Sequence, residues 1–370
     1  MKILIVSNMY PDKKNVSYGI FVKRFCEQLD ELGLSYDKSV LTKSNNKLKK
    51  LIKYSLFYIK TLIKIFINKY DIVYIHYASH SGAPVIFANK FKKFDIYTNV
   101  HGSDVVPENN KQEKFQKYTR KLMSISKKII VPSEYFKDYV CRKYSVSDLK
   151  VEVYPSAGVD TEVFYPYDND KKILTRSQLG LSNQYKYVGF VGRISTGKGW
   201  DTFIKAINIV SKENKDLMFV IVGSGPEEEK MNSLISNYNI EDRIIRFGLL
   251  PQEKLADVYN SIDVFVFPTE REGESLGLVA IEAMACGTPV IASDFAAPRY
   301  YIKDNYNGFK FEKGNFRELA DVILKWNSIS NSTELTKGAL KSAISYSRDN
   351  ILNNLKKILY ESNLEKDVRN

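Results

Sequence analysis

Two successive runs of short apolar segments, most of them separated by stretches of helical period, constrain the fold of this chain more than any other feature. The first half carries them at Ile3–Ser7, Ile72–Tyr77, Ile96–Val100, Ile129–Pro132 and Val151–Tyr154, with a weaker one at Lys38–Leu41. The second half carries them at Tyr187–Val191, Met218–Val222, Ile244–Phe247, Val264–Phe267, Val290–Ala292 and Phe309–Phe311. Strands that alternate with helices indicate parallel sheets built from βαβ units. The segments lack a clean apolar–polar alternation, as expected for strands covered on both faces.

The stretch Phe164–Lys172 contains proline, aromatic and charged residues but no period, and we place the join between two α/β domains there. We therefore predict two doubly wound domains, residues 1–167 and 168–346, that face each other across a cleft. Ser347–Leu364 is predicted to be helical, and residues 347–370 are expected to complete the first domain. Ligands of such sheets bind beyond the carboxyl ends of the strands.

The composition is that of a soluble globular protein, with 44% hydrophobic and 26% charged residues in a chain of 370. The three cysteines, Cys26, Cys141 and Cys286, are scattered and lack the spacing of metal ligands. His76 and His80 lie at a strand end and in a loop, so no zinc site is predicted. Because the first residues carry no signal peptide, we expect a reducing, cytoplasmic protein.

The net charge of +12 is concentrated in the first half of the chain. Residues 1–165 hold 28 Lys and Arg against 16 Asp and Glu, whereas residues 166–370 hold 27 of each. Nine lysines and no acid lie between Lys38 and Tyr70. The first half should therefore attract an anionic partner, which could be a membrane surface, a phosphorylated substrate or a nucleic acid.

A basic amphipathic helix is predicted over Lys47–Asn68. Lys49, Lys53, Lys60 and Lys64 fall on one stripe of this helix, and most of the remaining surface is apolar. The lysines argue against a transmembrane span but suit an anchor in the interface of an anionic membrane. The alternative is a helix that covers the sheet with its lysines solvated, and both descriptions can hold together. The lysine stripe without interleaved arginines favours a membrane over nucleic acid.

A glycine-rich turn at Gly192–Gly199 follows a strong strand and precedes a helix. Arg193 and Lys198 place two cations in this turn beside a helix N-terminus, which favours a bound diphosphate. The turn nearly matches the phosphate-binding loop of nucleoside triphosphatases, but Gly199 stands where that loop needs Ser or Thr to bind magnesium. A nucleoside triphosphatase and a surface loop with incidental charges are the alternatives.

Two carboxylates, Glu274 and Glu282, flank Gly277, which opens a predicted helix. Glu274 lies in a charged loop before this helix, and Glu282 lies inside it among apolar residues. A helix that is apolar all round is buried, so Glu282 should lose water and need a partner. The arrangement suits a ligand with both hydroxyls and phosphates. The alternative is an ordinary core helix whose one acid pairs with an arginine.

Four further loops follow predicted strands. Gly223 begins a tight turn that could form a wall for a nucleotide, because glycine lets a backbone approach a ligand closely. The loop at Phe247, Gly248 and Leu249 could offer backbone groups to a base. His101 is placed to reach a cleft, although a structural histidine is the alternative, and Gly19 would let its backbone face the same cleft. His76 has no catalytic context in the sequence.

Together these residues resemble the retaining GT-B glycosyltransferases of family 4 over nearly the whole chain. The segment from Pro268 through Glu274 and Glu282 to Val290 carries the most specific motif. Further motifs of the family occur in the same order: Val131–Glu134, Gly158–Asp160, Gly192–Gly199 and Val222–Pro226. Departures from its usual pattern lie at Ser275 and Leu276, at the single Gly19, and at Ser156 and Ala157. The fold implied is two Rossmann-like domains across a cleft.

The resemblance implies a role for each matching position. Arg193, Lys198 and the Gly277 backbone would hold the donor diphosphate, and Glu274 would contact the transferred sugar. Glu282 would bind the ribose, and His101 would approach the sugar from the first domain. The candidate catalytic residues are Arg193, Lys198, Glu274 and His101; the candidate donor-binding residues are Gly19, Gly192, Gly223, Phe247, Gly248, Leu249, Ser275, Leu276, Gly277, Leu278 and Glu282.

The implied reaction transfers a hexose or N-acetylhexosamine from a nucleoside-diphosphate sugar, expected to be UDP-linked, to a glycan hydroxyl with retention of configuration and without a metal or cofactor. The charged first half suggests a lipid-linked acceptor, such as a polyprenyl diphosphate in capsule or exopolysaccharide synthesis, at the inner face of the plasma membrane. A nucleotide-sugar epimerase of the same architecture and a degenerate nucleotide-sugar-binding protein are the alternatives.

Overall fold

A computed structural model describes residues 1–155, 158–329 and 332–367, and its chain forms two compact units. The first unit is Met1–Ala157 with Ile351–Asn370, and the second is Gly158–Asn350. The unusual residues before the Gly158–Asp160 motif, Ser156 and Ala157, lie outside the described residues, as do residues 368–370 of the predicted terminal helix. Each unit contains one six-stranded parallel sheet, so the predicted α/β class with two parallel sheets is confirmed.

The elements of the first unit alternate as predicted. They are β1 Lys2–Tyr10, α1 Ile20–Glu31, β2 Ser35–Thr42, α2 Lys47–Ile67, β3 Ile72–His76, α3 Ala78–Ala88, β4 Asp95–Asn99, α4 Asn110–Ile125, β5 Lys128–Val131, α5 Glu134–Tyr144 and β6 Val151–Val153. The strand order is β2-β1-β3-β4-β5-β6. All six predicted apolar segments of this half coincide with strands, and the predicted basic helix is α2.

The elements of the second unit begin after the linker. They are α6 Asn169–Gln178, β7 Lys186–Val191, α7 Trp200–Glu213, β8 Leu217–Val222, α8 Glu228–Tyr238, β9 Ile244–Phe247, α9 Gln252–Ser261, β10 Val264–Phe267, α10 Leu278–Ala285, β11 Val290–Ser293, α11 Pro298–Tyr301, β12 Gly308–Phe311, α12 Phe316–Asn327 and α13 Ser332–Ile344. The terminal helix α14, Arg348–Asp367, follows them. The strand order is β12-β11-β10-β7-β8-β9.

Both faces of the first sheet are covered, which explains its continuous apolar strands. Leu4 and Val6 of β1 belong to the core formed with α2 to α5. Ile3 and Ile5 of the same strand point the other way, into a core that α1 and α14 complete. Successive strand residues face opposite sides of a sheet, so every position of β1 between Ile3 and Val6 is buried.

The terminal helix α14 returns to the first unit. Its side chains Ile351, Leu355, Ile358 and Leu359 are buried against α1 and the sheet. The Nδ2 atom of Asn354 also donates a hydrogen bond to the Val153 carbonyl oxygen, 2.8 Å away. The chain therefore crosses from the second unit to the first in the course of this one helix.

The second unit begins at Gly158 rather than at residue 168, where the sequence placed the boundary. Residues 158–167 pack on α9 of the second unit. The Tyr167 backbone N–H donates to Asn260 Oδ1 at 2.8 Å, and Asn260 Nδ2 donates to the Tyr165 carbonyl at 3.1 Å. The buried Phe164 ring lies 6.0 Å from the Tyr259 ring. Burial of Phe164 and the hydrogen bonds of Tyr165 and Tyr167 to Asn260 join this segment, which the sequence presented as a linker, to the second unit.

Candidate functional site

The order of strands in the second sheet gathers most of the predicted site residues at one edge. Strands β10, β7, β8 and β9 are consecutive neighbours and parallel. Their carboxyl ends therefore lie in a row. Gly192–Gly199 follows β7, Gly223 follows β8, Gly248 and Leu249 follow β9, and the segment with Glu274 and Glu282 follows β10.

Backbone hydrogen bonds join three of these loops. Gly192 N–H donates to the Val222 carbonyl at 3.0 Å, and Ile194 N–H donates to the Ser224 carbonyl at 3.1 Å. Arg193 is thus held between two fixed residues, while its side chain is exposed. In the part of the chain that the structure describes, no carboxylate lies within ion-pair distance of its guanidinium. This cation is therefore available to an external anion.

Two glycines of the site are required by the packing of the loops on one another. Gly223 has φ +135°, and a Cβ atom there would overlap the carbonyl oxygen of Gly192. Gly199 has φ +71°, and a Cβ atom there would overlap the carbonyl oxygen of Pro268. Residues with a side chain rarely adopt these φ values, and the added Cβ atom would also overlap a neighbouring carbonyl oxygen, so both positions favour glycine. The predicted access of a ligand to Gly223 remains a prediction.

Lys198 and Glu274, predicted from separate motifs, form an ion pair in the structure. Lys198 Nζ lies 2.6 Å from Glu274 Oε2, with side-chain exposures of 19% and 13%. Thr269 Oγ1 donates to the same carboxylate oxygen at 3.2 Å. Glu270 N–H also donates to the Gly197 carbonyl at 2.8 Å, so the loops after β7 and β10 are joined at two points.

Gly277 forms the N-cap of α10 in the left-handed conformation, with φ 77°. Among the described residues, no side chain caps this helix N-terminus. The first turn of a helix carries backbone N–H groups and a partial positive charge, which suit an anion. Tyr301 Oη donates to the Leu276 carbonyl at 3.0 Å and so fixes the residue before Gly277. The Leu276 side chain is buried, which leaves only its backbone to bind a donor.

Helix α10 has an open face, contrary to the prediction that it is buried all round. Its residues Ile281, Ala283 and Met284 are buried, but Leu278 is exposed and Glu282 is half-buried. Leu278 and Glu282 are four residues apart and share one face of the helix. The Tyr259 hydroxyl donates to Glu282 Oε2 at 3.3 Å. Burial, followed by the nearby Glu282 carboxylate, raises the pKa of Tyr259 well above its ordinary value.

The loop after β9 exposes its apolar tip. Phe247 is half-buried, Gly248 is exposed, and Leu249 is 81% exposed. Gly223 N–H donates to the Phe247 carbonyl at 3.0 Å, which connects this loop to the one after β8. Ser275, in the segment between β10 and α10, is half-buried.

The remaining predicted residues, His101 and Gly19, belong to the first unit. His101 Nε2 lies 3.1 Å from Nδ1 of His76, and the Phe21 ring lies 4.1 Å from the His101 ring. Gly19 is the left-handed N-cap of α1, and a Cβ atom there would contact the Met9 backbone. The sequence indicated no catalytic context for His76, but in the structure His76 is the direct partner of His101, a candidate catalytic residue.

The environment of His101 keeps its imidazole neutral. Burial lowers the pKa of His101 to about 3 and raises that of Asp104 to about 6. The Asp104 carboxylate accepts hydrogen bonds from the backbone N–H groups of His101, Gly102 and Ala78 at 2.9, 2.9 and 3.0 Å. The loop after β4 is thus fixed to the start of α3.

Four residues that contact the predicted site residues or their loops were not predicted from the sequence. Thr269 binds Glu274, Tyr259 binds Glu282, and Tyr301 binds the backbone before Gly277. Glu227 accepts hydrogen bonds from Thr196 Oγ1 at 2.9 Å and from Trp200 Nε1 at 3.1 Å, and so braces the loop after β7. Only Thr269 carried a usable signal, since it lies two residues after the end of β10.

The fold and this row of loops define an α/β protein of the GT-B class. Sucrose-phosphate synthase from Thermosynechococcus elongatus has the same fold, with a TM-score of 0.77 at 20% identity, over 98% of this chain and 99% of that one. The Anabaena protein HepE in complex with UDP aligns with a TM-score of 0.77 at 16% identity, over 98% of this chain and 100% of that one. HepE has also been solved with UDP-glucose.

The sequence comparisons match two domain families in this chain. Residues 20–163 match the profile of Glycosyltransferase Family 4, and residues 171–339 match that of Glycosyl transferases group 1. The chain therefore contains a Glycosyltransferase Family 4 domain followed by a Glycosyl transferases group 1 domain, and the two matches together span most of its length. A D-inositol 3-phosphate glycosyltransferase of Segniliparus rotundus is 31% identical over 192 residues, which are 51% of this chain and 41% of that protein. The matched region is thus less than half of that relative's length.

Among the described residues, no helix is long and apolar enough to cross a membrane. In the same residues, no group of three or more His, Cys, Asp or Glu side chains is arranged to hold a metal ion.

Proposed function

We propose that the protein is a retaining glycosyltransferase that moves a sugar from a nucleoside-diphosphate sugar, in our proposal UDP-linked, to a hydroxyl of a glycan acceptor. The observation that carries this proposal is the grouping of three anion-binding elements on adjacent loops. These are the unpaired guanidinium of Arg193, the ammonium of Lys198 and the uncapped N-terminus of α10. The HepE complexes with UDP and UDP-glucose, in a protein of the same fold, agree with a nucleotide-sugar donor.

In this proposal the three elements bind the leaving diphosphate. The bond between the sugar C1 and the phosphate oxygen breaks, and negative charge develops on that oxygen. Fixed positive groups in a water-poor site stabilise such charge more than water does. The Lys198 ammonium has three N–H donors, so it can bind Glu274 and a phosphate oxygen together. No metal ion is needed for this stabilisation.

Glu274 and Glu282 bind the two sugars of the donor. Glu274 uses Oε2 for Lys198 and Thr269, and its Oε1 is left to accept from a hydroxyl of the transferred sugar. Glu282, oriented by Tyr259 on the open face of α10, accepts from the ribose hydroxyls. The exposed Leu249 gives the base an apolar contact. His101 of the first unit is assigned to the transferred sugar.

We assign retention to a front-face reaction. The acceptor oxygen bonds to C1 on the face that the phosphate leaves, and the acceptor proton passes to the leaving phosphate oxygen. Glu274 is held by Lys198 and Thr269, which suits a binding group better than a nucleophile. A double-displacement route would need a free carboxylate against C1.

The test is a screen of nucleotides and nucleotide sugars by thermal shift in the presence of EDTA, followed by product analysis. A ligand at a hundredfold its dissociation constant adds about 2.7 kcal/mol of stability. The stabilising nucleotide sugar should transfer its sugar to an acceptor, with the anomeric configuration retained by NMR. Epimerisation of the donor without an acceptor, binding without transfer or hydrolysis, or a reaction abolished by EDTA would each contradict the proposal.

We further propose that the acceptor is lipid-linked, for example on a polyprenyl diphosphate used in capsule or exopolysaccharide synthesis, and that α2 docks on the inner face of the plasma membrane. The outward side of α2 is apolar along its length. Its exposed apolar side chains are Leu48, Leu51, Ile52, Leu56, Ile59, Ile63, Phe66 and Ile67. Phe57, Thr61 and Ile65 face the domain instead and are buried. An exposed apolar face of this size marks an interaction surface.

Lysines border this apolar face on one side, which favours an anionic bilayer over a protein partner. Lys49 and Lys60 are exposed. Lys53 Nζ donates to Thr42 Oγ1 at 2.9 Å, and Lys64 Nζ lies 3.7 Å from Asp37. Helix α2 therefore covers the sheet and also presents a basic, apolar exterior, which supports the membrane proposal. Apolar side chains flanked by lysines are the composition of interfacial membrane helices.

Co-sedimentation with vesicles tests the membrane proposal. Binding should be stronger to anionic than to neutral vesicles. The double variant Ile59→Ser/Ile63→Ser should bind about thirtyfold more weakly, since partial burial of each side chain contributes roughly 1 kcal/mol. Leu149→Ser is the matched control, because Leu149 is 91% exposed outside α2. Equal binding to both vesicle types would overturn the electrostatic part, and equal loss in the control would overturn the assignment to α2.

A further inference from the structure

His76 and His101 form an imidazole pair in which His76 is buried and His101 is half-buried, and the family matches assign it no role. His76 ends β3, and His101 follows the neighbouring strand β4. His76 Nδ1 and His101 Nε2 are 3.1 Å apart, and the two rings stack with centroids 5.3 Å apart. His76 is only 1% exposed, and the rings of Phe25 and Tyr74 lie 4.8 and 5.0 Å from it. The His76 ring therefore lies in an apolar environment.

The other nitrogen of His76 identifies which ring donates. His76 Nε2 is buried and has no hydrogen-bond partner among the described residues. A neutral imidazole carries one N–H and one bare nitrogen. If His101 donated through Nε2–H, His76 would carry its proton on Nε2, as an orphaned buried N–H. A buried side-chain N–H without a hydrogen-bond acceptor is uncommon in proteins. The proton therefore belongs on His76 Nδ1, which donates to His101 Nε2.

We infer that His76 is a positioning residue that holds His101 in the tautomer protonated on Nδ1, so that His101 presents a fixed hydrogen-bond donor to a ligand oxygen. His101 is partly exposed, and its Nδ1 has no partner among the described residues. Because His101 Nε2 already accepts a hydrogen bond from His76, this nitrogen cannot also take the proton of the glycan acceptor's hydroxyl. The ligand oxygen is a hydroxyl of the transferred sugar, an assignment that rests on the proposed function.

Two features support a neutral, oriented pair. Burial lowers the pKa of both histidines, that of His76 well below its ordinary value, so neither ring is protonated twice near neutral pH. Phe21 covers the His101 ring at 4.1 Å, and the Asp104 carboxylate holds the His101 backbone. The ring of His101 is thus restrained on three sides, by Phe21, by His76 and through its own backbone.

The tautomers can be read directly because the chain has three histidines. Long-range ¹H–¹⁵N correlation spectra of ¹⁵N-histidine-labelled protein distinguish the two neutral forms, and a His80→Gln variant assigns the third ring. We expect His101 to be protonated on Nδ1 in the wild type and in His80→Gln. His76→Asn keeps a donor near the Nδ1 position and should preserve this form, whereas His76→Phe keeps the ring and should release it. A wild-type spectrum with His101 protonated on Nε2 would overturn the inference.

Kinetics separate this role from simple packing. His76→Phe should lower kcat for glycosyl transfer about tenfold, the effect of one hydrogen bond of ordinary strength, and leave KM for the donor within about twofold. His76→Asn should restore most of kcat. Equal losses in both variants, or an Nδ1–H form of His101 that survives in His76→Phe, would contradict the inference. The spectra need no activity, so a protein with the expected tautomer but no transfer would refute the proposed function alone.

Discussion

Replacing Lys198 by methionine tests whether the Lys198–Glu274 pair serves both the structure and the chemistry. The two charges are 2.6 Å apart and only 19% and 13% exposed. Breaking a fully buried pair costs about 3–5 kcal/mol, and an exposed pair contributes about 0–1 kcal/mol. The geometry lies between these limits, so Lys198→Met should destabilise the second unit by about 2 kcal/mol. Among the described residues, the Glu274 carboxylate would then keep only the hydrogen bond from Thr269.

The activity of the same variant should fall by more than this stability loss suggests. Losing a group that stabilises the leaving charge costs about 10²–10³ in kcat. In the double variant Lys198→Met/Glu274→Gln, no unpaired charge remains, so the coupling between the two changes should recover about 2 kcal/mol of stability. The kcat should not recover, because neither the phosphate nor the sugar regains its partner.

Urea unfolding followed by tryptophan fluorescence measures the stability term, because both tryptophans, Trp200 and Trp326, lie in the second unit. Release of the nucleoside diphosphate measures kcat. Lys205→Met is the matched control: Lys205 pairs with Asp201 at 2.9 Å, but both side chains are exposed by more than a third, so it should cost less than about 1 kcal/mol. A coupling energy near zero, or a double variant with restored kcat, would refute the reasoning.

Three further outcomes follow from the structure. Gly199→Ala should destabilise the second unit by about 3 kcal/mol through strain and overlap with Pro268, whereas Gly180→Ala, also at φ +71° but in open space, should show the strain alone, about 1 kcal/mol in urea unfolding. Tyr259→Phe should weaken nucleotide binding about tenfold in calorimetry by removing the hydrogen bond to Glu282, and unchanged affinity would refute that role. The pKa of His101 is lowered to about 3, so its contribution to stability is present above pH 6.5 and is lost as the pH falls. Between pH 7.5 and 5.5 the wild type should therefore lose about 1.4 kcal/mol more stability than His101→Gln, measured by urea unfolding followed by circular dichroism. Equal losses in the two proteins would contradict this.

The sheets and the row of loops could be predicted because they depend on local patterns. Every apolar segment predicted as a strand is one, since continuous burial on both faces leaves a signal in the sequence itself. Arg193 and Lys198 could be identified because both lie in the glycine-rich turn that directly follows the predicted strand β7. The partner of Lys198 could not be identified, because Glu274 meets Lys198 only through the order in which β10 and β7 pair.

The corrections have the same origin in tertiary packing. Glu282 lies among apolar residues in the sequence, but only the helix packing shows that it shares an open face with Leu278. Phe164 lies in a segment that resembles a linker, and its burial against Tyr259 is a long-range contact. The sequence did predict β3 and β4, with histidines at or just after their carboxyl ends. It did not show that β3 and β4 are neighbours in the sheet, so the contact between His76 and His101 was not predicted.

The most direct test of the central claim, that the loops after β10, β7, β8 and β9 form the donor site, is a crystal structure of the protein with UDP grown in EDTA. We predict the diphosphate within about 3 Å of the Arg193 and Lys198 side chains and at the first turn of α10, with the ribose hydroxyls on Glu282. A nucleotide bound elsewhere on the second unit, with these four loops empty, would contradict the account.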